Sequence, residues 1–141
     1  PIDRVTLPDV DGPCDLGFGW GMELPGRFLR RLDGDAQVLW RRGLTLHVTS
    51  HQKAVADPRE AEALMRRVPD HALDRIDETD GELRRTCYRV RDPLADGRCP
   101  PFQGLALDGS HLLNVSAYFD DEADAASVLS AFRSIRRPSG G

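Results

Sequence analysis

Residues 44–68 read Leu44-Thr45-Leu46-His47-Val48-Thr49-Ser50-His51-Gln52-Lys53-Ala54-Val55-Ala56-Asp57-Pro58-Arg59-Glu60-Ala61-Glu62-Ala63-Leu64-Met65-Arg66-Arg67-Val68. In the first third, Leu44, Leu46 and Val48 alternate with Thr45, His47 and Thr49, the two-residue period of a strand with one apolar face. The period then changes. Asp57, Pro58 at the first helical position and Glu60 three residues after the Asp form a capping-box-like start. Ala61, Leu64, Met65 and Val68 then repeat at the spacing that lays one apolar stripe along a helix, which Pro69 stops. The chain therefore mixes strands and helices, and the fold class depends on how they are ordered.

Working outward, strands dominate. Phe18, Trp20, Met22 and Leu24 alternate with Gly17, Gly19 and Gly21, so one strand face is large and apolar and the other bare. Pro25-Gly26 breaks this strand, Phe28 to Leu32 reads as a second, and Asp33-Gly34-Asp35 as a turn. Gln37 to Arg42 is strand-like, with Gly43 a tight turn or bulge before Leu44. Beyond the helix, Leu83 to Arg91 reads as a strand with Thr86, Tyr88 and Val90 on one face and Arg85, Cys87, Arg89 and Arg91 on the other. A loop from Asp92 to Pro101 follows. Phe102 to Leu107 and His111 to Phe119 form two strands around the hairpin signal Asp108-Gly109. Asp121 is the expected N-cap of a last helix, with Ala125, Val128, Leu129 and Phe132 as its stripe and Arg133, Arg136 and Arg137 opposing its negative end. Without βαβ alternation, the expected fold is α+β: one domain over residues 1–141, an antiparallel sheet of six or seven strands covered by two main helices, and flexible ends at about 1–15 and 138–141.

Composition bounds the function. The chain is 40% hydrophobic and 30% charged with a net charge of −4, which disfavours nonspecific attraction to nucleic acid or to an anionic membrane. Lys53 is its one lysine among 19 basic residues, a usage that reads as a GC-rich bacterial coding sequence. No segment has the apolar length of a bilayer span, no leader-like pattern opens the chain, and Pro1 suits removal of an initiator Met, although a start left by a cleaved leader fits it too; a cytoplasmic protein is expected. Cys14, Cys87 and Cys99 lack metal-ligand spacing and read as reduced thiols, with a Cys14 to Cys99 bridge only in an exported protein.

Candidate chemistry is sparse. His47 and His51 share a strand face, but their rings lie about 13 Å apart, too far for one ion. His71 and His111 stand alone. Asp120, Asp121, Glu122 and Asp124 lack the glycine and later glutamate of a calcium loop, and helix capping explains them. Gly17-Phe18-Gly19-Trp20-Gly21 is followed by no helix, so it forms no phosphate loop; its bare face invites close packing by a backbone, a helix or a partner. No motif of a nucleophile, zinc or nucleotide enzyme is present, and no cofactor is expected. Asp70, Asp74, Asp77, Glu78, Asp80 and Glu82 form an acidic segment followed by the basic Arg84, Arg85, Arg89, Arg91 and Arg98. Solvated faces or mutual salt bridges explain both runs, and the acidic segment is the candidate partner-binding surface, suited to a basic protein.

The Trp20-Gly21-Met22-Glu23-Leu24-Pro25-Gly26 stretch, the closing Tyr118-Phe119 strand, the acidic helix start and Phe132-Arg133-Ser134-Ile135-Arg136 resemble the PsbP-like and DcrB-like α/β/α sandwiches. That resemblance implies a binding module rather than an enzyme and carries over no functional residue. The expectation is a non-enzymatic protein-binding module, most concretely a small bacterial immunity protein or a chaperone for a secretion effector such as those of type VI systems. The alternatives are a small-ligand or metal-binding domain using the His47 and His51 face, or an enzyme with an unrecognised site.

Overall fold

A computed structural model describes residues 5–33, 36–51, 57–91 and 99–137. The chain is a single α+β domain built on one antiparallel sheet of eight strands. The strands are β1 (Val5–Gly17), β2 (Trp20–Asp33), β3 (Ala36–Arg41), β4 (Leu44–His51), β5 (Leu73–Asp80), β6 (Leu83–Arg89), β7 (Phe102–Asp108) and β8 (His111–Phe119). Helix α1 (Pro58–Met65) separates β4 from β5, and a 3-10 turn (Glu122–Asp124) leads into α2 (Ala125–Arg133). The strand order is β1-β2-β3-β4-β8-β7-β6-β5. Two four-stranded meanders thus meet where β4 pairs with β8, and α1 carries the chain from the centre of the sheet to its far edge.

The helices lie on opposite faces. Val128, Ala131 and Phe132 of α2 pack over Leu46, Cys87, Phe102, Val115 and Ala117, the inner face and main core. Gly104 makes this approach possible: a Cβ there would stand 2.3 Å from Cε1 of Phe132. On the outer face, Met65 of α1 packs only on Leu107 and Leu112, with Leu64 and Leu105 beside them. The Asp57 carboxylate caps α1 by accepting from the amides of Arg59 and Glu60.

Several sequence expectations change. Residues 5–15, expected as part of a loose end, belong to β1, which pairs along β2 from Val5↔Leu32 to Gly17↔Trp20. Pro25-Gly26 bends β2 without ending it: Gly26 takes φ +121°, and the Arg41 guanidinium stacks 5.1 Å from the Phe28 ring while donating to the Pro25 carbonyl at 2.9 Å. Phe18 is not on the apolar face. It sits at the hairpin tip with φ +50° and is 51% exposed. The acidic stretch, given no strand from sequence, contains edge strand β5. In β6 the two faces divide as expected, with Cys87 and Arg89 turned inward because Cys87 pairs with Gly104 beneath α2, but the strand ends at Arg89 and not at Arg91. The expectations for residues 1–4, 34–35, 92–98 and 138–141 lie outside the described residues. No described helix is long and apolar enough to cross a membrane.

Candidate functional site

Because the sheet is continuous, residues at matching register positions form rows across it, and the rows of the outer face define its surface. One row runs Leu29, Trp40, Thr45, Tyr118 across β2, β3, β4 and β8. The next runs Arg31, Val38, His47, Ser116, Gln103, Tyr88 across six strands. A third holds Thr49, Asn114, Leu105, Thr86 and Asp77, and a fourth holds His51, Leu112, Leu107 and Arg84. Helix α1 covers the fourth through Met65 on Leu107 and Leu112, and through Glu62, whose carboxylate takes the Arg84 guanidinium at 2.6 Å. No helix covers the first two rows: Tyr118 is 47% exposed, Leu29 is 41% exposed and His47 is also exposed, while Val38 between Arg31 and His47 is buried and the other members are half-buried.

The open rows are ordered by their own contacts. The Arg31 guanidinium lies 5.6 Å from the Trp40 ring centroid, and the His47 and Tyr118 rings meet edge to face at 5.7 Å. Ser116 donates to Oε1 of Gln103 at 2.8 Å. These two rows contain Trp40, Tyr118, Tyr88, His47 and Arg31 and no carboxylate, in a chain with 23 Asp and Glu residues. Sequence reading identified the polar alternation at Thr45, His47 and Thr49 but not the site. Trp40 and Tyr118 are far apart in sequence and share a row only because β4 pairs with both β3 and β8.

The acidic segment divides on structure. Asp74 pairs with Arg89 at 3.5 Å. Asp77 accepts from the Thr86 hydroxyl at 2.7 Å and pairs with Arg75 at 2.9 Å. Glu78 is held by Arg85 at 3.3 Å and by Arg133 of α2 at 2.8 Å. These three carboxylates are tied to the chain's own arginines, whereas Asp70, Asp80 and Glu82 are exposed. Arg89 does not belong to a solvated basic face either. It is 5% exposed, stacks 5.1 Å from both the Phe102 and Phe119 rings, donates to the Pro100 carbonyl at 2.9 Å and pairs with both oxygens of Glu122. That guanidinium holds the Glu122 carboxyl down at about 2.

The remaining candidates are occupied structurally or stand apart. Asp121 accepts from the Ala123 amide as a cap, and Asp124 pairs with Arg41 at 3.5 Å. His47 and His51 sit two rows apart, and His111 Nε2 lies 3.2 Å from the Arg137 guanidinium. No group of three or more His, Cys, Asp and Glu side chains among the described residues has the arrangement of a metal site. All three cysteines are free thiols, and burial pushes Cys87 up to about 12 and Cys14 above its ordinary value, the opposite of an activated nucleophile. The glycine face is met from within the chain: Gly21 and Arg136 exchange backbone hydrogen bonds of 2.8 and 3.0 Å, and the Arg137 guanidinium donates to the Phe18 carbonyl at 2.9 Å. Beside that contact a shallow hollow of about 500 Å³ remains, lined by Asp15, Phe18, Gly19, Gly21, Glu23 and Arg136.

No protein-family model matches the chain, and no curated protein matches it.

Proposed function

We propose that this chain is a non-enzymatic protein-binding module that engages its partner through the open half of the outer sheet face, the mode of a small immunity protein or effector chaperone. The observation that carries the reading is the pair of rows that place Arg31, Trp40, His47 and Tyr118 on neighbouring strands of one face, with Tyr88 at the far end of the second row. Trp, Tyr and Arg are the residues enriched at protein interfaces and among their energetic anchors, because each offers a large, stiff contact area with a polar handle. Stacking of Arg31 on Trp40 and of His47 against Tyr118 orders these four side chains before a partner arrives, which lowers the ordering cost of association. The described residues offer no rival of catalytic character, since the perturbed groups, Glu122 and the buried thiols, are engaged with Arg89 or enclosed in the core.

The test is capture of a partner from a native lysate with the wild-type chain, repeated with Trp40→Ala/Tyr118→Ala and with Asp80→Lys/Glu82→Lys. The face reading expects the first variant to lose the captured protein and the second to keep it. The reverse result returns the interface to the acidic edge, and retention by both removes the outer face from consideration. A second reading, small-ligand binding, rests on the hollow beside Phe18 and Glu23. It gains support if Trp40→Ala/Tyr118→Ala changes nothing while Gly21→Leu, which would fill the hollow, abolishes a bound metabolite.

A further inference from the structure

We infer that the open sheet face takes an apolar or aromatic strip of a partner protein flanked by carboxylates, so that this acidic chain recognises an acidic partner; the inference rests on the protein-binding reading of that face. It starts from Arg31. Eight other arginines, at positions 41, 66, 75, 84, 85, 89, 133 and 137, pair with carboxylates of the chain. Arg31, like Arg30 and Arg42, pairs with no carboxylate whose side chain is described. Its guanidinium stacks on Trp40, and its Nε is shielded from solvent without a hydrogen-bond acceptor. A planar fork held on an indole is preorganised for a carboxylate, which it can grip through two parallel bonds.

The surroundings agree with that occupant. Neither open row contributes an acidic side chain that would compete for Arg31 or repel an incoming carboxylate. Leu29, Trp40 and Tyr118 beside it supply the apolar contact area. Of the chain's exposed carboxylates, Asp70, Asp80 and Glu82 lie in or beside the hairpin of β5, at the far edge of the sheet from β2 and β3, whereas Asp11, Asp15 and Glu23 are on β1 and the part of β2 that precedes Pro25-Gly26. Single-stranded nucleic acid also stacks on aromatic sheet faces, but it needs several cations tracking its backbone, and the two rows offer one arginine in a chain of net charge −4.

The experiment is selection of a random phage-displayed peptide library on the wild-type chain, with the selected peptides titrated against Arg31→Gln, Arg31→Glu, Trp40→Ala and Asp80→Lys. Thermal midpoints confirm that each variant is folded. The expected peptides combine Asp or Glu with aromatic or aliphatic residues. They weaken about tenfold or more on Arg31→Glu, less on Arg31→Gln, and less still as salt rises, while Asp80→Lys leaves them unchanged. Neutral or basic peptides that still lose binding on Trp40→Ala overturn the acidic partner but leave the face as the interface. Peptides indifferent to Trp40→Ala, or no selected peptide at all, overturn the protein-binding reading itself. A parallel titration with oligo-dT that binds wild type and fails on Trp40→Ala reassigns the face to nucleic acid.

Discussion

At the scale of single residues, the molecule depends on two sites that a composition count would pass over. Gly104 is in the middle of β7, where glycine usually weakens a strand, yet its missing Cβ is the space that the Phe132 ring occupies. Gly104→Ala should therefore destabilise the fold by about 1–3 kcal/mol, as overpacking does, and Phe132→Leu in the same chain should recover part of that loss. Urea unfolding of the two single variants and the double variant measures the coupling, and strictly additive losses would break the argument. The second site is the Arg89–Glu122 pair. Glu122 is held near 2 in the folded protein against an ordinary value of 4.5, so the folded state binds its proton less readily than the unfolded chain. Its contribution to stability is full above about pH 4.5 and is lost as pH falls toward 2. Glu122→Gln should flatten the fall in urea midpoint over that window and lower the midpoint at pH 7; an unchanged slope would assign the acid sensitivity elsewhere.

At the scale of elements, the hairpin between β1 and β2 carries a conflict. Its two-residue loop places Phe18 at φ +50° and Gly19 at φ +85°, a conformation suited to Asn-Gly and costly for a bulky residue. Phe18→Asn should raise stability by about 0.5–1 kcal/mol, because the exposed ring returns little packing. A loss of stability instead would show that the ring holds the tip in place. At the other edge, β5 is guarded against pairing with a second sheet by its charges and by a bulge near Asp74, which takes φ +52°. Its carboxylates are not equivalent. Glu78→Lys places a third cation beside Arg85 and Arg133 and should cost about 1–3 kcal/mol, whereas Asp80→Lys should leave the thermal midpoint within a degree or two. Equal effects from the two would show that the Glu78 bridges contribute nothing.

At the scale of the whole molecule, β4 and β8 are the centre from which both meanders spread, and α2 closes the inner face over them. Local opening is cheapest where few apolar contacts must be broken, so amide exchange should be slowest in β4, β8 and β7 and fastest in β1 and β5. Exchange as slow in β1 as in β4 would mean that the edge is held by contacts beyond its pairing with β2.

The strands from Leu44, Phe102 and His111 and both helices were legible because each carries its own period, cap or turn signal within a few residues: Asp57-Pro58, Asp108-Gly109, Asp121. Single-domain α+β character followed from their order. β1 and β5 were not legible, since Pro8 and Pro13 interrupt one and the other is exposed and charged, so neither shows the alternation that burial on one face imposes. Their pairing partners are β2 and β6. The division of the acidic run into bound and exposed carboxylates, the burial of Arg89 and the gathering of Arg31, Trp40, His47 and Tyr118 on one open face depend on strand order and register. Those are set by contacts between residues distant along the chain, and only the tertiary structure decides them.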